Sequence, residues 1–187
     1  MSLKLMDIIT ENHKREYGCV MLFFDFPELY KIQDAINPDD LYEEDDDDSY
    51  GLESEAHVTL LYGLHKGVSD EDVKETLKNI DFDVCKLFNL SFFKNEKYDV
   101  LKFEVGYTTR GGAFLSKANK ELKKFPYTSD FPDYNPHLSV AYLKPGMGKE
   151  YVDKLKRVKD YILTPKEARY SKTDGSKIKI KINLKKQ

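Results

Sequence analysis

No apolar run in this chain approaches the ~20 residues that a membrane-spanning helix needs. The opening residues, Met1-Ser2-Leu3-Lys4-Leu5-Met6-Asp7, lack the apolar core of a secretory leader, so a soluble, cytoplasmic protein is expected. Cysteine is scarce: Cys19 and Cys85 both fall inside strand-like apolar runs. Buried thiols in a reducing compartment are the expectation, rather than a disulfide or a metal pair. Positive charge is not in excess either, since 30 Lys and Arg face 33 Asp and Glu, for a net charge of -3. A protein that coats duplex nucleic acid is normally basic, because phosphate neutralisation dominates that affinity. Any phosphate ligand should then be small and held in a local pocket. Also missing are a P-loop, a dinucleotide fingerprint, a Gly-x-Ser-x-Gly elbow and any His/Cys/Asp cluster at metal-ligand spacing. No cofactor and no metal are expected.

What is present suits one domain spanning 1–187, with 40% hydrophobic and 13% aromatic residues to build a core. Residues 3–16 read as a short helix or arm, with His13 solvated. Residues 17–24 are continuously apolar, as in a central strand covered on both faces. Leu29, Ile32 and Ile36 have helical spacing that Asn37-Pro38 ends. Ser69 is a helix N-cap, with Asp70, Glu71 and Asp72 in the first turn and Val73, Leu77 and Ile80 as the buried stripe. Residues 84–93 and 100–105 read as a hairpin. A helix is expected over 113–124, another over 149–161, and a second hairpin from strands 162–170 and 178–184 turned at Asp174-Gly175. The segment 39–54 is the compositional outlier. Its run Glu43 to Asp48 repels itself and reads as a solvated, mobile loop, a flap at the mouth of a groove. It lacks the alternating spacing and turn glycine of an EF-hand.

Two stretches organise the rest: His57-Val58-Thr59-Leu60-Leu61-Tyr62 and His137-Leu138-Ser139-Val140-Ala141-Tyr142. On a strand, residues i and i+2 share a face. His57 and Thr59 therefore point one way, and so do His137 and Ser139. Each motif leads into a turn, a helix and a hairpin, so the chain reads as a duplication with one lobe over about 57–105 and the other over about 137–184. The expected architecture is α+β: two lobes related by a pseudo-twofold axis, largely antiparallel sheets with helices outside, and the histidines facing across a central groove. Two imidazoles astride a phosphodiester supply a base for the attacking oxygen and an acid for the leaving one. Neighbouring hydroxyls can donate to the non-bridging oxygens.

Paired His-x-Thr/Ser motifs about eighty residues apart in a duplicated α+β chain resemble the two-histidine (2H) phosphoesterase superfamily, to which the LigT-like 2′-5′ RNA ligases and cyclic phosphodiesterases belong. The resemblance implies metal-independent phosphodiester cleavage, with His57, Thr59, His137 and Ser139 as the catalytic set. The compact size and Tyr-terminated motifs look most like viral members, some of which degrade the cyclic oligonucleotide signals of bacterial immunity (anti-CBASS phosphodiesterases). A viral member would act in the host cytoplasm. Ser139 departs from the commoner Thr and loses the methyl that fixes its rotamer. The acidic insert is not a mapped feature of the superfamily.

The remaining candidates concern the substrate. Tyr127, Phe131 and Tyr134, in the proline-punctuated loop before His137, are placed to stack on a base. Tyr62 and Tyr142 lie five residues past their histidines. Alternation turns them to the opposite face unless a bulge intervenes, which favours core packing, though Tyr142 stays a candidate for substrate binding. Arg110 and Lys144 offer charge to steer phosphate, with surface charge the simpler reading of each; Lys144 is kept in the substrate-binding set. The expected partner is a small nucleotide or cyclic oligonucleotide, with no duplex and no membrane, acting on a monomer or weak oligomer. The competing readings are RNA-end processing of 2′-5′ linked or 2′,3′-cyclic phosphate ends, and a module that binds nucleotide without cutting it.

Overall fold

The computed structural model describes residues 16–45, 49–107, 114–129, 131 and 133–185. The expected arm with His13, the acidic residues Asp46 to Asp48, the candidate Arg110 and the first residue of the helix expected from Ala113 lie outside the described residues. In chain order the elements are β1 (Gly18–Phe24), α1 (Glu28–Gln33), a 3-10 turn (Pro38–Asp40), β2 (His57–Leu64), α2 (Asp70–Lys78), β3 (Asp81–Phe82), β4 (Cys85–Lys94) and β5 (Asp99–Tyr107). There follow α3 (Phe114–Leu122), β6 (His137–Leu143), α4 (Met147–Lys154), β7 (Tyr161–Leu163), β8 (Pro165–Ser171), β9 (Lys177–Ile180) and β10 (Asn183–Leu184).

Two four-stranded antiparallel sheets carry the α+β fold, in the orders β2-β1-β8-β9 and β6-β5-β4-β7. A short parallel pair, β10 with β3, closes one end. The apolar run at β1 does lie inside its sheet, buried throughout. Its alternate residues serve two interiors: Val20, Leu22 and Phe24 join the main core, while Cys19, Met21 and Phe23 pack with Tyr62 on the other face. Helix α2 begins as its residues dictate, with the Ser69 side chain accepting from the Asp72 amide. Val73 and Leu77 are fully buried. Cys19 and Cys85 are both buried thiols, and burial pushes the Cys85 pKa up to about 12.

Three expectations are corrected. The lobes do not follow the linear halves 57–105 and 137–184. Hairpin β4–β5 pairs with β6, and β8–β9 pairs with β1 beside β2, so each half of the chain lends its hairpin to the sheet of the other's motif strand. Strand pattern is local and says nothing of which edge a hairpin joins. Second, the stretch 162–170 is two strands, not one: β7 belongs to the β4 sheet and β8 to the β1 sheet, with the break before Pro165. Proline has no amide hydrogen for a ladder, which makes it a natural point for the chain to cross between sheets. Third, α4 ends at Lys154, and Leu155 caps it; Val152, Leu155 and Val158 still pack against the core.

The motif strands β2 and β6 each occupy the edge of a sheet and touch one another at the centre of the molecule. Exposed edges invite pairing with foreign strands, and both are covered here. The stem of the acidic segment runs along β6: the Tyr42 and Glu53 amides donate to the Tyr142 and Val140 carbonyls, and the Tyr142 amide donates to Gly51. Along β2, the Thr128 amide donates to the Gly63 carbonyl and the His65 amide to Pro126. The described part of the acidic segment is thus a fixed edge rather than a free loop.

Candidate active site

The two motif strands share one irregularity. Thr59 stands opposite Met21, yet the next pair along β1 is Val20 with Leu61; Ser139 stands opposite Lys102, and the next pair is Leu101 with Ala141. Leu60 and Val140 are therefore the extra residues of two bulges at equivalent positions. Their carbonyls are met from the helices: Asn119 of α3 donates to Leu60 at 2.7 Å and Gln33 of α1 donates to Val140 at 2.9 Å. A one-residue slip reverses every later side chain. Tyr62 and Tyr142 accordingly return to the histidine face, where both line a cavity of about 340 Å³. The opposite-face placement of both tyrosines is corrected by that bulge, while core packing holds for Tyr142, which is 2% exposed and packs with Tyr50, Tyr98 and Val100 beneath the cavity.

The histidines are held alike. His57 Nδ1 lies 3.0 Å from the Glu55 carbonyl and His137 Nδ1 lies 2.9 Å from the Asn135 carbonyl. A ring nitrogen facing a carbonyl carries the hydrogen and donates, which leaves Nε2 as the atom for proton transfer. Each ring rests against a phenylalanine, Phe23 at 5.5 Å and Phe93 at 4.9 Å between centroids. Each phenylalanine is in turn covered by a cation, Arg169 at 3.8 Å and Lys102 at 4.4 Å. The Ser139 hydroxyl accepts from the Tyr142 hydroxyl at 3.3 Å. The Tyr134 hydroxyl donates to the Thr59 carbonyl at 3.0 Å, tying the aromatic loop to β2.

Their surroundings differ. Burial pushes the His137 pKa down to about 4; the charges of Lys102 and His57 act in the same direction, and the Asn135 carbonyl opposes them. The charge of His57 thus reaches His137 across the groove. His57 instead has the buried Glu53 carboxylate 3.7 Å from its Nδ1. The Arg169 guanidinium holds the Glu55 carboxyl below its ordinary pKa. Burial, with the charge of Glu53 adding, raises the Tyr142 phenol.

This environment predicts acid sensitivity. An imidazole with a depressed folded pKa binds its proton less readily folded than unfolded, so its contribution to stability is complete above about pH 6.5 and is lost as pH falls toward 4. The wild-type chain should lose about 2–3 kcal/mol across that window that a His137→Gln variant keeps. Urea titrations of both proteins at pH 6.5 and pH 4.5 check this, and parallel losses would count against it.

The structure gathers some candidates and separates others. Thr59, His137, Phe131, Tyr134 and Tyr142 line the main cavity. His57 lines a smaller recess of about 40 Å³ with Phe23, Glu53, Glu55, Arg169 and Lys177. Ser139 is buried under Tyr142. Tyr127 does not line the cavity; it bridges to Leu64 at the far end of β2, with Lys123 over its ring. Lys144 does not line it either, and its Nζ donates to the Asp39 carbonyl. Several cavity residues were not anticipated: Phe93, Asn95 and Tyr98 at the β4–β5 turn; nor was Lys102, which does not line the cavity but lies over the Phe93 ring. One signal was available, because Lys102 and Glu104 are alternate charged positions in an otherwise apolar strand. Among the described residues no group of three or more His, Cys, Asp or Glu is arranged to hold a metal ion, and no helix is long and apolar enough to cross a membrane.

No protein-family model matches the chain, and no curated protein is similar to it in sequence. Solved structures are similar in shape. Usb1 of Kluyveromyces marxianus superposes with a TM-score of 0.53 at 10% identity, over 89% of this chain and 98% of that one. The same protein with uridine monophosphate gives 0.54 at 10% identity, over 88% and 98%. LigT of E. coli complexed with 3′-AMP gives 0.44 at 14% identity, over 83% and 87%. At such identities the likeness is one of fold alone: the chain has the α+β fold of Usb1.

Proposed function

We propose that this chain is a metal-independent phosphodiesterase acting on a small nucleotide, with His137 as general base and His57 as general acid. One observation carries the reading: two imidazoles on touching strands, each with Nδ1 tied to the carbonyl two residues before it, so that both Nε2 atoms are left for substrate. His137, held neutral by burial, takes the proton of the attacking oxygen, a ribose 2′-hydroxyl where one is adjacent or a water otherwise. As the new P–O bond forms, the old one breaks and its oxygen leaves with the proton of His57. Both neighbours of His57 Nδ1, the Glu55 carbonyl and the Glu53 carboxylate, are acceptors that suit an imidazolium. The Thr59 and Ser139 hydroxyls stabilise charge on the non-bridging oxygens, and because Ser139 accepts from Tyr142 its own hydrogen is available to donate.

The cavity lies on the His137 side and is lined by Tyr62, Phe93, Tyr98, Phe131, Tyr134 and Tyr142. Its volume falls in the range of small-ligand pockets, and aromatic faces accept any base. That one structure similar to this chain, Usb1 with uridine monophosphate, holds a nucleotide supports a nucleotide here. The finer proposal, cyclic di- or oligonucleotide immune signals, rests on the resemblance to viral members; 2′-5′ linked or 2′,3′-cyclic ends are the alternative. The test is chromatography and mass analysis of cyclic dinucleotides, 2′-5′ oligoadenylates and 2′,3′-cyclic nucleotides after incubation in EDTA. Cleavage of at least one is expected. Tight binding with every ligand recovered intact would make the chain a sponge, and neither binding nor cleavage would end the nucleotide reading.

A further inference from the structure

We propose that Lys102 is a phosphate ligand of this site, a buried ammonium that meets one non-bridging oxygen beside Ser139 and His137. The inference rests on the phosphodiesterase reading above. Lys102 stands opposite Ser139 in the β5–β6 ladder and Glu104 stands opposite His137. Directly opposed residues share a face, so the ammonium belongs to the groove face and not to the core behind it. It is 7% exposed.

A buried ammonium is costly unless hydrogen bonds and counter-charge compensate it. Among the described residues the carboxylate in ion-pair range is Glu104, whose Oε1 lies 3.6 Å from Nζ, longer than a hydrogen bond. That same oxygen already accepts from Asn89 Nδ2 at 3.0 Å and from Ser91 Oγ at 3.4 Å. Burial accordingly holds the Lys102 amine below its ordinary pKa, with Glu104 opposing.

The other lobe supplies the contrast. Arg169 occupies the matching place over Phe23, but it is closed by a bidentate pair with Glu55 at 2.6 and 2.9 Å and by Glu167 at 2.7 Å. Of two cations set on the two histidine-bearing aromatics, one is saturated by the protein and one is not. The unsaturated cation is on the side of the large cavity. The ligand chemistry that completes it is a phosphate oxygen, which lysine meets as a point charge. The charges facing this ammonium are Glu104 from its own strand and the imidazole of His137 from β6.

The experiment is calorimetric titration of the intact chain with inorganic phosphate at pH 7.5, without turnover. Lys102→Met should weaken binding about tenfold or more, in line with a lost charge-assisted hydrogen bond. Lys102→Arg should stay within about threefold of wild type, and Lys149→Met, on the far surface beside Asp153, should bind as wild type does. Glu104→Gln separates a ligand from a structural strut: it should leave phosphate affinity unchanged or raise it, because it removes a competing anion. If Glu104→Gln weakens binding as Lys102→Met does, the lysine only braces Glu104 and the proposal fails. It fails equally if Lys102→Met binds like wild type, or if the wild-type chain takes no phosphate at tens of millimolar. Should Lys102→Met not fold, the arginine and glutamine variants decide alone. Lys102-dependent phosphate binding in a chain that cleaves no nucleotide would overturn the reaction and keep the anion site.

Discussion

Replacing His137 by alanine should lower kcat/KM by a factor of 10² to 10⁴, the usual contribution of a positioned acid or base, or about 3–5 kcal/mol of barrier. His57→Ala should do the same on a nucleotide substrate. Neither ring belongs to the hydrophobic core, and each lines a cavity, so both variants should fold. The two losses should not add, because base and acid act in one step, and the double variant should be only slightly worse than the poorer single one. An activated aryl phosphodiester separates the roles. Its leaving group departs without a proton, so His57→Ala should recover much of its rate while His137→Ala stays impaired. A reversed pattern would exchange the assignments. Wild-type cleavage by either variant across the nucleotide panel, in EDTA, would remove the histidines from the chemistry altogether.

Gly63→Ala should be the most damaging small substitution in the described chain. Gly63 has φ +109°, a conformation that side chains rarely adopt, and an added Cβ would stand well inside contact distance of the Thr128 carbonyl. That neighbour is backbone and cannot rotate away. Thr128 is also where the aromatic loop docks, its amide donating to the Gly63 carbonyl at 2.9 Å. Forcing the two apart strains β2 and frees the stretch that carries Phe131 and Tyr134 into the cavity. The expected result is a loss of about 3 kcal/mol or more, read by urea unfolding. Variant that remains folded should show a raised KM out of proportion to any change in kcat. Gly67→Ala is the control: its Cβ would meet nothing within 4 Å, and a cost of about 0.5 kcal/mol or less is expected. Equal behaviour of the two variants would show that the loop is not docked as described.

How much of this was legible beforehand depends on how local each cause is. Ser69 caps α2 because its hydroxyl reaches an amide three residues on, and Asp174-Gly175 turns a hairpin because Gly175 accepts φ +87°. The run at β1 had to be interior, since apolar residues on both faces need two covers. The pairing of His with Thr or Ser on one face followed from strand alternation alone. By contrast, the bulges at Leu60 and Val140 leave no mark in the residues themselves, because their unmatched carbonyls are satisfied by Asn119 and Gln33 from distant helices. Placing Tyr62 and Tyr142 on the face opposite the histidines followed the alternation faithfully and failed at that one slip, although Tyr142 is buried all the same. Tyr127 and Lys144 had the right chemistry, but the chain turns them elsewhere. The acidic segment looked free because its charges repel; its stem is held by backbone bonds to β6, which charge does not predict.

By itself the sequence determined that His57 shares a strand face with Thr59 and His137 with Ser139, where α2 begins, and where the last hairpin turns. Those are short-range consequences of backbone period, capping and turn chemistry. Only the tertiary structure decided that β2 and β6 meet, that the sheet of each takes a hairpin from the other half, and that His137 lies in a buried, lysine-flanked setting while His57 faces carboxylates. The reason is physical: strand partners and burial are set by packing between segments far apart in the chain, and two similar histidine motifs come to differ in environment when different neighbours close around them.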